Sequence, residues 1–204
     1  MTNQSINLIC FSSTLNNLSN TIDNRESLNI LRSSYKLNYI QASQLKEGID
    51  SNGLTAIFIE SGGSEELFIK NEQFLPKSLI IISDYYNNSL AATLEICSWL
   101  KSKNRHFFHL HIPLELSEKR VSQLKEQLAD LFAIQKTLCW LDSCNIALIG
   151  NESPWLISSH IDKEYINNKY GVNFIEISTD YLIERFNQTE INDLHSKETI
   201  DKLV

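Results

Sequence analysis

Short, continuous apolar runs alternate with segments of helical spacing along the chain. The runs predict five strands, at residues 6–12, 37–42, 54–60, 78–83 and 105–111. The third and fourth runs have no polar alternation in their centres, which is typical of parallel strands covered on both faces. Strand, short loop and helix follow one another, as in βαβ units. We therefore expect an α/β fold with a Rossmann-like (flavodoxin-like) parallel sheet in three layers.

Helical segments fill the gaps between these runs. Residues 25–36 are weakly helical, and a second helix follows Ser64, which is placed to be its N-cap ahead of two acidic residues. Apolar residues at helical spacing from Leu90 predict a third helix. Residues 117–142 predict one long helix that Ser117 caps, and its leucine-rich face indicates burial.

The alternation of strands and helices begins again after the long helix. Apolar runs at 145–150 and 172–177 predict two more strands. Helices are predicted at residues 154–170, 179–187 and 189–204. Ser153 and Pro154 suit the start of the first of these helices, and Gly171 suits its C-cap.

The second group of elements is too small to close a layered domain of the usual size. We expect residues 1–142, including the long helix, to form an N-terminal Rossmann-like domain. Residues 143–204 would then form the start of a second, incomplete α/β unit.

Composition and charge exclude several function classes. The 204 residues include 42% hydrophobic residues and carry a formal net charge of −7. No run of Lys and Arg occurs, so we expect no nucleic-acid partner. No apolar stretch is long enough for a membrane span, and the N-terminus lacks the pattern of a signal peptide. We expect a soluble, cytoplasmic protein with no membrane partner.

The cysteines indicate the same compartment. Cys10, Cys97, Cys139 and Cys144 lie inside or beside apolar runs, and none belongs to a C-x-x-C pair. We interpret them as buried thiols in a reducing environment.

Small polar residues gather where the first and third strands end. In a sheet of order 2-1-3-4-5, ligands bind near the switch point between these two strands. The candidate substrate-binding residues there are Ser12, Ser13, Thr14, Ser61, Gly62, Gly63 and Ser64. Their hydroxyls and backbone N–H groups suit a polyol or a small anion, and a tight turn with an N-cap explains the same residues. The glycines do not form G-x-G-x-x-G, so no dinucleotide site is expected.

A second polar cluster follows the fourth strand. Its candidate substrate-binding residues are Asp84, Tyr85, Tyr86, Asn87 and Asn88. Aromatic faces beside amides can stack on a sugar and hydrogen-bond to it, although a helix cap with partly exposed tyrosines is an equal alternative.

Three histidines alternate along the fifth strand. His109 and His111 share one face, and His106 lies on the other. Two histidines at i, i+2 can ligate a metal, but no third ligand lies near them in sequence. We interpret them as ordinary strand residues and predict no catalytic and no metal-binding residue in this chain.

Three segments carry a resemblance to a known family. The first is 61–68, the second is 84–92, and the third runs Ile-Ala-Leu-Ile-Gly-Asn-Glu-Ser-Pro-Trp-Leu-Ile-Ser-Ser over 146–159, followed by Tyr-Gly-Val at 170–172. In order and spacing they resemble the N-terminal region of L-fucose isomerase and L-arabinose isomerase-like proteins. The third segment is the most specific of the three.

The resemblance implies a fold and a chemistry. Members of that family have Rossmann-like N-terminal domains, and they interconvert aldoses and ketoses with a divalent metal such as Mn²⁺. The family's metal ligands would follow residue 204, so no cofactor is expected in this chain. The resemblance implies a non-catalytic N-terminal portion of a carbohydrate-metabolism protein, which gives assembly surface in a homo-oligomer and part of a sugar site. Whether the chain alone is an enzyme stays open.

Two alternatives to an isomerase fragment stay open. One is a stand-alone flavodoxin-like module that binds a small polar ligand. The other is an interaction protein that uses the helix at 117–142 as an oligomer seam, which an exposed apolar stripe on that helix would favour. A Ser-His-Asp hydrolase is not expected, because no G-x-S-x-G turn occurs.

Overall fold

A computed structural model describes residues 4–13, 22, 24–47, 53–153 and 155–188. Thr14, Pro154 and the helix predicted at 189–204 lie outside the described residues. The chain divides into two compact units, Met1–Leu138 and Cys139–Val204. The domain boundary predicted after residue 142 stays a prediction.

Five strands form the sheet of the first unit, in the order β2-β1-β3-β4-β5. The strands are β1 Ser5–Phe11, β2 Lys36–Gln41, β3 Leu54–Ile59, β4 Ser78–Asp84 and β5 His106–Ile112. Every neighbouring pair is parallel. The α/β, Rossmann-like fold class is confirmed, and so is the strand order assumed from the sequence.

Helices cover both faces of this sheet and make a three-layer structure. Helices α2 (Glu65–Asn71) and α3 (Ser89–Ser102) pack on one face. Helices α1 (Asn29–Arg32) and α4 (Glu118–Asp142) contribute to the core on the other face. The hydrophobic core therefore has two layers, one on each side of the sheet.

The central strands β3 and β4 are buried along their whole length. In β3, Ile57 and Ile59 belong to the core beside α2 and α3, while Ala56 and Phe58 belong to the core beside α4. Successive side chains point to opposite faces of the sheet. Because both faces are buried, the side chains on each face must be apolar. This double burial explains the continuous apolar runs of the sequence.

Helix α4 begins as the sequence predicts. The Ser117 hydroxyl accepts a hydrogen bond from the Arg120 N–H at 3.3 Å. Leu124, Leu128 and Phe132 are buried in the core on the α4 side of the sheet. Among the described side chains of α4, Ile134 and Trp140 are the large apolar ones that are exposed. Two separate residues do not form an apolar stripe, so α4 itself gives the oligomer-seam alternative no support.

One polar side chain of α4 is buried against the sheet. Gln135 is 2% exposed. Its amide nitrogen donates to the carbonyl oxygens of Thr55 at 2.8 Å and Ser78 at 3.2 Å, and its amide oxygen accepts from the Thr55 N–H at 2.9 Å. Gln135 therefore supplies hydrogen bonds at the points where β3 and β4 begin.

The helix predicted at 25–36 is wrong in its length and type. A 3₁₀ turn at Glu26–Leu28 leads into the four-residue α1, and β2 already begins at Lys36. Arg25 has an extended backbone (φ −68°, ψ 105°) and a buried side chain. Groups on the sheet bind its guanidinium. These tertiary contacts, and not the helix propensity of the segment, determine where the segment begins.

The cysteine prediction is confirmed in part. All four cysteines are free. Cys10 is buried, and Cys97 and Cys144 are half-buried. Cys139 is exposed, so the prediction of a buried thiol is wrong there.

The second unit contains a two-stranded parallel sheet. It consists of β6 (Asn145–Ile149) and β7 (Asn173–Ile177), with helices α5 (Lys163–Tyr170) and α6 (Thr179–Gln188). Both predicted strands and the last described helix are confirmed. None of the helices in the described ranges is long and apolar enough to span a membrane.

The helix predicted from Pro154 is wrong over its first half. Helix α5 begins at Lys163, and its N-cap is Asp162, whose carboxylate accepts from the Tyr165 N–H at 2.8 Å. Trp155 is 76% exposed and Ile157 is 90% exposed. Because these apolar side chains are exposed in the described part of the chain, the segment lacks the tertiary contacts that stabilise most helices.

The predicted C-cap of this helix is confirmed. Gly171 has a left-handed backbone, with φ +78°, and a Cβ at this position would collide with Asp142. Glycine is required here for both reasons.

We expect Gln135→Leu to lower the free energy of unfolding by at least about 2 kcal/mol, since the apolar side chain leaves buried backbone groups without partners. Urea denaturation followed by circular dichroism measures this difference. Gln123→Leu, at an exposed position of the same helix, is the matched control and should change stability little. Equal effects of the two substitutions would contradict the role assigned to Gln135.

Candidate functional site

The carboxyl ends of β1 and β3 lie side by side, as predicted from the strand order. The Ser13 N–H donates to the Ser61 hydroxyl at 3.0 Å. Gly63 has φ +76°, and a Cβ there would lie 3.3 Å from the Ser13 hydroxyl oxygen. The structure thus brings Ser13, Ser61 and Gly63 together. Ser12, which directly precedes Ser13, is half-buried. Thr14 lies outside the described residues.

Ser64 does not cap α2 through its side chain. Its hydroxyl donates to the Ser61 carbonyl oxygen at 2.8 Å, and both residues are almost completely buried. Ser64 is the N-cap residue of α2, as predicted, but its side chain makes no capping hydrogen bond. The hydroxyl instead fixes the turn between β3 and α2, and neither Ser61 nor Ser64 presents its side chain to solvent.

The loop after β3 contacts the loop after β4. The Gly62 N–H donates to the Asn87 carbonyl oxygen at 2.7 Å, and a Cβ on Gly62 would approach the Asn88 Cβ to 3.1 Å. Asn87 and Asn88 both have left-handed backbones, with φ 47° and 58°. Asparagine tolerates this conformation better than most residues, which explains the Asn-Asn pair.

These two loops surround an open depression on the α2 and α3 side of the sheet. Its volume is ≈ 440 Å³. Four of the predicted site residues line it, together with residues of α2 and α3: Gly62, Gly63, Asn87, Asn88, Glu65, Ala91, Ala92 and Glu95. Glu65 and Glu95 were not predicted as site residues, since their place in the lining depends on how the two helices pack.

The predicted tyrosines do not line this depression. The Arg25 guanidinium lies over the Tyr86 ring, 4.8 Å from its centroid, and the Tyr85 and Tyr86 centroids are 4.1 Å apart. One face of Tyr86 is therefore occupied by a cation of the protein itself. Tyr86 therefore contacts Arg25, and neither tyrosine lines the depression.

Asp84 is the centre of a buried polar cluster and is itself 0% exposed. Its carboxylate accepts from the Ser27 hydroxyl at 2.7 Å and from the Tyr86 N–H at 3.0 Å. It also pairs with the Arg25 guanidinium at 3.5 Å. With its oxygens engaged in this way, Asp84 positions the loop after β4 rather than facing a ligand.

Arg25 connects this cluster to the end of β3. Its guanidinium donates to the Glu60 carbonyl oxygen at 2.6 Å, and it is only 6% exposed. Arg25 was not predicted as part of the site, because its partners lie 35 and 59 residues further along the chain. The signal available in the sequence was Glu60, a charged residue that directly follows the apolar run of β3.

Glu60 is a second buried carboxyl group in this cluster, and its pKa is shifted. It is 2% exposed, and its Oε1 accepts no hydrogen bond within the described part of the chain. Burial raises the pKa of the Glu60 carboxyl to about 7, although the Arg25 guanidinium opposes the shift. Burial also raises the pKa of the neighbouring Cys10 thiol, and the Glu60 carboxylate adds to that effect.

The histidines of β5 are placed as the strand alternation predicts. The Ser83 hydroxyl oxygen lies 2.8 Å from His109 Nε2 and 3.0 Å from His111 Nδ1. Burial lowers the pKa of both imidazoles; the charge of His111 adds to the effect at His109, and Asp84 opposes it at His111. No group of three or more His, Cys, Asp or Glu side chains in the described ranges could hold a metal ion.

Comparison with known proteins finds no matching family model and no curated protein that matches this chain. The likeness to L-fucose isomerase-like proteins therefore rests on the three sequence segments alone and stays a prediction. The α/β fold and the geometry of the carboxyl edge are independent of it.

We expect the contribution of Glu60 to the stability of the protein to fall as the pH rises from about 4.5 to about 7, because folding raises the Glu60 pKa across that interval. In this interval the folded chain keeps a proton that the unfolded chain loses. Glu60→Gln should remove the fall and stabilise the protein at pH 8, relative to the parent, by up to about 3 kcal/mol.

Urea unfolding at pH 5 and pH 8 measures this effect. Glu126→Gln, at an exposed position of α4, is the control and should leave the pH dependence of the parent intact. A parent and a Glu60→Gln variant with the same pH dependence would show that Glu60 ionises normally in the folded protein.

Proposed function

We propose that this chain is the non-catalytic N-terminal part of an aldose–ketose isomerase-like protein, and that its Rossmann-like unit binds a neutral sugar. The binding place is the depression at the carboxyl ends of β3 and β4. The observation that carries the proposal is that two independently predicted loops line this one depression, with the two glycines and two asparagines on its surface.

The chemistry of the depression favours a polyhydroxy ligand. The side chains of Asn87 and Asn88 supply amide donors and acceptors, and Glu65 and Glu95 supply acceptors for ligand hydroxyls. The two glycines leave backbone groups open to close approach. The two carboxylates disfavour a phosphate or another anion by like-charge repulsion.

The size of the depression agrees with a small ligand. Its volume of ≈ 440 Å³ lies in the range of roughly 300–1,000 Å³ that is usual for ligand pockets. It is open to solvent on one side, so we expect weak binding. Such a site can serve as part of a wall that another domain or subunit completes.

The isomerase likeness and the depression involve the same residues. The first two segments of the resemblance, 61–68 and 84–92, contribute seven of the eight lining residues, and Glu95 is the exception. The Mn²⁺ site that the family implies would lie outside this chain. The proposal therefore assigns the chain ligand contact and assembly but no turnover.

A homo-oligomer belongs to the same proposal, and the second unit supports it. Helix α6 exposes four large apolar side chains over ten residues: Tyr181, Leu182, Ile183 and Phe186. A surface helix normally buries such a face. We propose that a second copy of the chain covers it, and this observation also favours the alternative of an interaction protein.

We expect L-fucose or L-arabinose to shift the backbone amide resonances of Gly62, Gly63, Asn87 and Asn88 in a saturable NMR titration. Asn88→Gly should weaken the affinity by roughly fivefold to tenfold, because one amide contact is lost. Glycine accepts the left-handed backbone of this position, so the loop keeps its conformation. Asn104→Gly, also left-handed but outside the depression, is the matched control.

Two further measurements accompany this titration. A phosphate ester of the same sugar should bind more weakly than the free sugar. The chain should give no aldose–ketose conversion with added Mn²⁺. Conversion would mean that a complete metal site exists in this chain, and shifts spread evenly over the protein would remove the depression from the proposal.

We expect Phe186→Asp to reduce self-association, because a charge on the exposed apolar face of α6 must be desolvated in the assembly. Analytical ultracentrifugation over a range of concentrations measures the change in mass. Leu114→Asp, at another exposed apolar position, is the control and should leave the mass unchanged. A parent chain that is monomeric at all concentrations would refute assembly through this face.

A further inference from the structure

Two histidines and a serine converge at the carboxyl ends of β4 and β5. In the strand register, Ser83 lies opposite His111, and Ile81 lies opposite His109. The Ser83 hydroxyl oxygen is within hydrogen-bond distance of His109 Nε2 at 2.8 Å and of His111 Nδ1 at 3.0 Å. Ser83 is fully buried, whereas both histidines are half-buried and keep part of their rings accessible to solvent.

The hydrogen bonds of Ser83 determine which ring nitrogen of each histidine carries a proton. A serine hydroxyl has one proton, so it can donate to only one of the two nitrogens. The other imidazole must then donate its N–H to the same oxygen. Both ring nitrogens consequently face the Ser83 oxygen, which keeps the three possible ligand atoms close together.

We propose that His109 Nε2 and His111 Nδ1 bind one divalent transition-metal ion, with the Ser83 hydroxyl as a third, weaker ligand and solvent completing the coordination. The imidazole that donates to Ser83 in the metal-free protein transfers that proton to its other ring nitrogen through solvent. Both rings are then neutral ligands, and binding releases no proton from the pair.

The distances need little adjustment for such an ion. Ligand atoms of a tetrahedral ion, at about 2.1 Å from the metal, are about 3.4 Å apart. The present separations of 2.8 Å and 3.0 Å are shorter by a few tenths of an ångström. Side-chain rotation can provide this change without moving the paired strands.

The donor set selects the class of metal. Imidazole nitrogens suit Zn²⁺, Ni²⁺ and Cu²⁺, whereas Mg²⁺, Ca²⁺ and Mn²⁺ favour carboxylate and carbonyl oxygens. Since no third His, Cys, Asp or Glu completes a group in the described ranges, the ion would keep positions open to solvent. This site is separate from the sugar depression and differs in chemistry from the Mn²⁺ centre that the family resemblance implies.

The test uses the full, untagged chain in isothermal titration calorimetry with Cu²⁺, Ni²⁺ and Zn²⁺, and in Cu²⁺ absorption spectroscopy. We expect one ion per chain and the tightest binding for Cu²⁺, in the usual order of affinities. His109→Asn and His111→Asn should each weaken the affinity at least tenfold, and Ser83→Ala should weaken it less.

Two controls separate this site from general surface binding. His106→Asn removes a histidine on the opposite face of β5, and His160→Asn removes the one beside Glu152; neither should change the affinity. Circular dichroism establishes that each variant is folded. Absence of saturable binding, or binding that survives loss of both His109 and His111, would overturn the proposal.

Discussion

Complete burial of β3 and β4 is the constraint on which the rest of the first unit depends. Every residue of both strands is buried, so the polar groups at their ends need partners from the protein. At the amino ends Gln135 supplies them. At the carboxyl ends the Ser89 hydroxyl donates to the Ile59 carbonyl oxygen and accepts from the Asp84 N–H. The apolar sheet is thus closed at both ends by polar side chains.

The same closure positions the candidate site. Asp84, held by Ser27 and Arg25, fixes the loop after β4, and the Gly62 N–H joins that loop to the one after β3. The depression is therefore lined by backbone that buried contacts already hold in place. Binding of a ligand there would require little ordering of the loops. A site with this property is preorganised. The buried Arg25 stabilises these loops without lining the depression.

The extent to which the sequence predicted this structure follows the range of the interactions involved. The strands were predictable because apolar runs and strand burial are local patterns, and the Ser117 and Gly171 caps are local too. Arg25 and Gln135 were not, since their roles depend on contacts made across the fold. Likewise, the helix predicted from Pro154 assumed a packing surface that Trp155 and Ile157 do not find. The loops of the depression were predicted, whereas its acidic rim required the packing of α2 and α3.

The hydrogen bonds of Gln135 to Thr55 span 80 residues, and this separation has a consequence for synthesis of the chain. All five strands leave the ribosome before the part of α4 that covers them. A parallel sheet has no hairpins that could pair its strands locally as they emerge. One apolar face of the sheet, which α1 and α4 cover together in the folded unit, therefore stays incompletely covered until translation has passed residue 135. A nascent chain of this topology is most prone to aggregation in that interval, and it is then a substrate for chaperones that shield apolar segments.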